Sequence, residues 1–203
     1  MQFQARKVLW LTISASSLTI FAGFGHLAVS HHRLQASTAH PVKTTPTTHR
    51  SKPAKVVPID WHAPSMKKSY PNLTQYPDLK IRVSIADQRV YLESHYQKLY
   101  TMLASTGKTG DDTPKGSFEI QPERGLNFYN SQSGEGANYW VSFKDHGIYL
   151  FHSVPVDAQG HYVVREAEQL GKVANSHGCI RLTISDAKWL YENIPTHTPV
   201  EVS

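Results

Sequence analysis

Leu79-Lys80-Ile81-Arg82-Val83-Ser84-Ile85-Ala86-Asp87-Gln88-Arg89-Val90-Tyr91-Leu92-Glu93 is where the chain first reads as folded. Ile81, Val83 and Ile85 alternate with Arg82 and Ser84, the period of a half-buried strand. Ala86-Asp87-Gln88 reads as a turn and Arg89–Glu93 as a second strand. Working towards the C-terminus, Gln97–Ser105, Gly116–Gln121, Asn138–Phe143, Gly147–His152 and Val200–Val202 are further strand candidates. Gly107–Gly116 and Pro122–Gly136 are rich in Gly, Asp, Asn and Ser and read as loops. Two short helices are expected. One spans Val164–Leu170 and ends at Gly171. The other starts at a Ser185 cap and runs to about Asn193, with Pro195 beyond its end. On it, Ala187, Leu190, Tyr191 and Ile194 recur on one face. The expected fold is mainly β with small helices (α+β), a sandwich-like domain over residues 79–203.

Working towards the N-terminus, the composition changes twice. Residues 59–78 carry Trp61, Tyr70 and Tyr76 among prolines and read as a lead-in arm against the domain. Residues 34–58 are rich in Thr, Pro, His and Lys, with too little apolar surface to offset the entropy of ordering. They read as a disordered spacer; their histidines are too irregularly spaced to suggest a metal site. Residues 1–33 place Arg6 and Lys7 before an uncharged apolar run from Val8 to about Ser30. This is the pattern of a signal-anchor, or of a signal peptide cleaved near Ala28-Val29-Ser30. Either reading puts the domain outside the cytoplasm, anchored to the membrane or secreted.

The 203 residues hold 21 Lys and Arg against 16 Asp and Glu, a formal +5. Seven of the basic residues, and no acidic one, precede Asp60, so the leader carries +7 and the remainder −2. The excess is absent from the part that folds, which argues against a nucleic-acid partner. With one cysteine, Cys179, no disulfide can form within the chain.

That cysteine lies in Ser176-His177-Gly178-Cys179-Ile180-Arg181. A thiol that attacks an acyl group needs a base or cation beside it and donors for the developing oxyanion. Gly178 lets the backbone turn closely past a substrate, and the amides of Gly178 and Cys179 are candidate oxyanion donors. Arg181 has the fork geometry to hold a carboxylate. Upstream, Gly147-Ile148-Tyr149-Leu150-Phe151-His152-Ser153 delivers His152 at a strand end, a suitable place for a general base. A zinc site of His152, His177 and Cys179 uses acceptable ligands, but no His-Glu-x-x-His motif accompanies it. A wall-binding module without catalysis is the reading from another class.

Taken together these motifs resemble the L,D-transpeptidase catalytic domain. The resemblance covers Leu79–Ser203 and includes Thr113-Pro114-Lys115-Gly116, similar to that family's Thr-Pro-x-Gly turn. It implies a cysteine-dependent acyltransferase acting on peptidoglycan stem tetrapeptides and forming 3-3 cross-links in cell wall biogenesis. With water as acceptor the activity becomes L,D-carboxypeptidase. By position, the resemblance makes Cys179 the nucleophile and His152 the base, with Ser153 orienting the ring through its hydroxyl or carbonyl. Gly178 and Cys179 become oxyanion donors and His177 a supporting residue. Ser176 and Tyr139 become substrate contacts, and Arg181 either contacts a carboxylate or braces the site. The implied chemistry needs no metal or cofactor. The implied partners are stem peptides and wall polymers, with the membrane added if the leader is retained. One departure is the long interval from His152 to Ser176, where an extra hairpin and short helix are expected within Asp157–Gly171.

Overall fold

A computed structural model describes residues 58–203. The leader and spacer expected over residues 1–57 lie outside the described residues. Among the described residues no helix is long and apolar enough to cross a membrane.

Among the described residues nine strands form one continuous sheet: β1 (Lys80–Ser84), β2 (Arg89–Ser94), β3 (Gln97–Ser105), β4 (Gly116–Glu119), β5 (Arg124–Asn130), β6 (Glu135–Lys144), β7 (Tyr149–Ser153), β8 (Ile180–Leu182) and β9 (Pro199–Val202). Their order across the sheet is β4-β9-β1-β2-β3-β8-β7-β6-β5. The expected sandwich is thus a single sheet curled over its own core. The curl is closed where the chain leaving β4 meets β6. Gln121 N–H donates to the Ser142 carbonyl at 2.8 Å, and Ser142 N–H donates to the Glu123 carbonyl at 2.9 Å.

The alternation seen at Ile81 and Val83 is the inward face of β1. Both are fully buried, together with Val90, Leu92, Met102, Val141, Phe143, Phe151, Ile180, Leu182 and Val200. Each such side chain stabilises the fold by roughly 1.5–3 kcal/mol relative to exposure. Helix α1 is Val164–Ala167 and helix α2 is Ile184–Asn193. On α2, Ala187, Leu190 and Ile194 are buried as their spacing suggests, while Tyr191 is only partly buried. The cap is Thr183 rather than Ser185: its Oγ1 accepts the Asp186 N–H at 3.0 Å. The Ser185 hydroxyl instead donates to the His62 carbonyl at 2.5 Å.

Residues 58–78 run over this helix. Asp186, buried in its first turn, accepts the Tyr70 hydroxyl at 2.7 Å and also the Ser65 hydroxyl. Tyr70 stacks on Trp189 with centroids 4.8 Å apart. Ile184 N–H donates to the Trp61 carbonyl at 3.0 Å.

Two departures bear on the site. The segment Pro122–Gly136, read as a loop, contains strand β5. It lies at the sheet edge and exposes Leu126 and Tyr129, so it lacks the buried alternation that marks a strand. Its hydrogen bonds come from β6, with Phe128 opposite Ala137 and Asn130 opposite Glu135. The expected helix Val164–Leu170 is one α-turn that relaxes into turns before Gly171, which has φ +73°. Ahead of it, Val156 pairs with Tyr162 around a turn closed by Gly160 N–H on the Asp157 carbonyl, 3.0 Å.

Candidate active site

Strands β7 and β8 run parallel, with Phe151 opposite Ile180 and His152 opposite Arg181. Side chains alternate along a strand, so Phe151 and Ile180 enter the core while His152 and Arg181 share the other face. One residue before β8, Cys179 joins them. All three line a cleft of about 360 Å³, together with Ser176, His177, Glu135, Phe128, Trp140 and Ile148.

The histidine is held in one orientation. Its Nδ1 lies 2.6 Å from the Ser153 carbonyl, which fixes the proton on Nδ1 and leaves Nε2 as the basic nitrogen. The Phe128 ring stands edge-on to the imidazole at 5.6 Å and 84°. The Ser153 hydroxyl accepts the Asn138 N–H at 3.0 Å and donates to the Val154 carbonyl at 2.8 Å, so the carbonyl, not the hydroxyl, meets the ring. Burial, then the nearby Arg181 charge, hold His152 down to about 3 against the Ser153 carbonyl.

Cys179 opens on the cleft, and its thiol faces the Ile148 carbonyl at 3.5 Å. Closely packed neighbours still strip most of its water. That desolvation pushes the thiol up to about 11, despite the Leu150 N–H and the Arg181 charge, which favour the thiolate. Cysteine and histidine are therefore both neutral at pH 7.

The turn before Cys179 is built by residues that the motif names. Gly178 has φ +105°, and a Cβ there would meet Tyr149 Cε1 at 3.1 Å, so glycine is required. The Gly178 carbonyl accepts the Thr113 hydroxyl at 2.8 Å, and Thr113 Oγ1 also accepts the Gly107 N–H at 2.8 Å. The Thr-Pro-x-Gly turn thereby braces the loop that carries Cys179. Ser176 Oγ accepts the Gly178 N–H at 3.2 Å and donates to the Cys179 carbonyl at 2.5 Å. Its hydroxyl is committed within the turn, and the Gly178 N–H is not free for an oxyanion in this state.

Arg181 is almost wholly buried. Nη1 donates to Glu166 Oε2 and Nη2 to Glu135 Oε2, both at 2.6 Å. Its fork is occupied by the protein's own carboxylates, which corresponds to the bracing alternative. His177 Nδ1 lies 3.4 Å from the same Glu135 oxygen. Tyr139 does not join the cleft. It packs on the core and faces Tyr191 at 6.1 Å, while its neighbour Trp140 lines the cleft across from Gly125. Among the described residues, no three His, Cys, Asp or Glu side chains are grouped to hold a metal ion.

Residues 78–202 match the family model described as YkuD, L,D-transpeptidase catalytic domain. The chain belongs to the L,D-transpeptidase family. It is 44% identical over 184 residues to YciB of Bacillus subtilis (strain 168), a protein whose name assigns it provisionally to the same family. That match covers 87% of this chain and 91% of the relative. It is 30% identical over 132 residues to L,D-transpeptidase 1 of Mycobacterium tuberculosis (strain ATCC 25618 / H37Rv), covering 59% of this chain and 48% of that protein. Among solved structures, it resembles LdtMt1 in complex with imipenem, with TM-score 0.52 and 24% identity over 62% of this chain and 59% of that one. An L,D-transpeptidase from Mycobacterium smegmatis gives TM-score 0.52 and 20% identity over 62% and 58%. The chain thus spans just under three fifths of these solved chains, and the likeness to them shows the fold.

In this L,D-transpeptidase domain Glu135 and Phe128 line the cleft and Glu166 braces Arg181, although none of the three was a candidate in the sequence. Glu135 and Phe128 fell in the segment read as a loop. Glu166 is 15 residues from Arg181 and reaches it only through the extra helix between β7 and β8. Trp140 carried a signal, because it alternates with Tyr139 along β6 and must face the other way.

Proposed function

We propose that the domain is a cysteine acyltransferase that cross-links peptidoglycan stem peptides outside the cytoplasm. The observation that carries this reading is the oriented His152 on β7 and the Cys179 thiol just ahead of the adjacent β8, both lining one cleft. In the family resemblance, the donor is a stem tetrapeptide with a diamino acid at its third position, followed by D-Ala. The Cys179 sulfur attacks the carbonyl between those two residues while its proton passes to His152 Nε2. His152 then gives that proton to the departing amine of D-Ala, leaving a thioester.

The neutral resting pair makes this a general-base mechanism, in which charge develops only as sulfur attacks. The Cys179 N–H is the oxyanion donor, and the Gly178 N–H joins it when it exchanges its Ser176 partner. His177 braces Glu135 at the rim. A second stem's side-chain amine resolves the thioester into a link between two third residues.

The test is product analysis. With a disaccharide tetrapeptide as the only substrate, the full chain is expected to release D-Ala and accumulate a cross-linked dimer. Tripeptide without dimer would identify an L,D-carboxypeptidase, and no D-Ala release from folded protein would remove the acyl-transfer reading.

A further inference from the structure

Resting on the acyl-transfer reading above, we propose that Glu135 docks the acceptor amine as its ammonium ion and so favours amine over water in resolving the acyl-enzyme. Glu135 opens strand β6 and lines the cleft beside Cys179, His152 and His177. One oxygen, Oε2, is taken by Arg181 at 2.6 Å and approached by His177 at 3.4 Å. The other, Oε1, has no hydrogen-bond partner among the described residues. The Glu135 side chain is 23% exposed against 2% for Arg181, so the carboxylate, not the guanidinium, meets what enters the cleft.

The charge balance points the same way. Among the described residues Arg181 is the sole Lys or Arg lining the cleft, and it faces two carboxylates, Glu135 and Glu166. Counting the formal charges of Arg181, Glu135 and Glu166, the cluster holds one negative charge in excess. The remaining wall is largely apolar, with Phe128, Trp140, Ile148 and Leu150. A cation gains in such a place, because a partly desolvated carboxylate with a free oxygen forms a charge-assisted hydrogen bond. Water carries no charge and gains nothing comparable. Glu135 is also close enough to Cys179 for its charge to act on the thiol.

The step balances as follows. The acceptor arrives as R–NH3+ against Glu135 Oε1 and loses one proton to solvent. The lone pair of the resulting amine attacks the thioester carbonyl. The new C–N bond forms, the C–S bond breaks, and a second proton passes from nitrogen through His152 Nε2 to the Cys179 sulfur. The products are an amide, the free thiol and one released proton.

The experiment measures the partition of the acyl-enzyme, as the ratio of cross-linked dimer to hydrolysed tripeptide at fixed tetrapeptide concentration. It compares full-chain wild type, Glu135→Gln and Glu166→Gln. Counting both products per acyl-enzyme formed removes any loss of folded protein from the ratio. Glu135→Gln is expected to lower the ratio by about tenfold and raise the KM for acceptor. Glu166→Gln removes Arg181's other partner while keeping the Glu135 charge, and its ratio is expected to stay within about twofold of wild type. An unchanged ratio in Glu135→Gln overturns the assignment. So does an equal fall in both variants, which would make Glu135 a structural partner of Arg181 alone. A wild type that forms no acyl-enzyme overturns the underlying reading, and this assignment with it.

Discussion

Replacing His152 by alanine is expected to slow acyl-enzyme formation about a thousandfold, the usual share of a positioned general base. The loss should appear in the rate of D-Ala release with the fold intact, because the ring lines the cleft. The pH dependence of the wild type identifies what kind of pair is lost. With the thiol pushed up to about 11 and the imidazole held down to about 3, no thiolate–imidazolium pair exists at rest. Alkylation of Cys179 by iodoacetamide then follows thiolate concentration alone, rising about tenfold per pH unit from pH 7 to pH 10. With His152 as the proposed base, acyl-enzyme formation is expected to persist down to mildly acid pH and to be lost only as pH falls towards about 3. An alkylation rate already level above about pH 6 would mean a preformed ion pair and would contradict the neutral resting state.

The second large effect is on stability. Arg181→Met keeps much of the side-chain volume but leaves Glu135 and Glu166 facing each other without their shared cation. Removing one partner from a buried ion cluster costs about 3–5 kcal/mol. Here both carboxylates keep some solvent contact, 23% and 19% of the side chain, so the lower end applies, about 3 kcal/mol. For a domain of this size, that is a fall in Tm of about 10 °C by calorimetry. Adding Glu135→Gln and Glu166→Gln to Arg181→Met should recover part of the loss, because no uncompensated charge then remains. A single variant as stable as wild type would show that the triad braces nothing.

Much of the fold was legible because burial imprints a period on the sequence. Ile81 and Val83 announced β1, and the span Gln97–Ser105 was read with the bounds it has as β3. Strand β5 was not legible, because an edge strand needs no buried face and takes its order from β6. The cap of α2 shifted from Ser185 to Thr183 because hydroxyls at both positions suit a cap. Which one is used depends on the arm, whose His62 carbonyl takes the Ser185 hydroxyl.

The same division runs through the site. His152 and Cys179 stood out through local motifs, and a parallel strand pair brings them to one face. The occupancy of Arg181 did not stand out. Its partners lie 46 and 15 residues away, and no local pattern links them. Tyr139 was expected at the cleft, but side-chain alternation along β6 turns it to the core and its neighbour Trp140 to the cleft.

The central claim is that Cys179 carries the acyl group. Its most direct test is the intact mass of the full chain after incubation with a disaccharide tetrapeptide, followed by peptide mapping. The expected result is an adduct equal to the donor less D-Ala, located on Cys179 and absent from Cys179→Ala. Folded wild type that turns over substrate with no adduct at Cys179, or a Cys179→Ala variant that still forms one, would contradict the account.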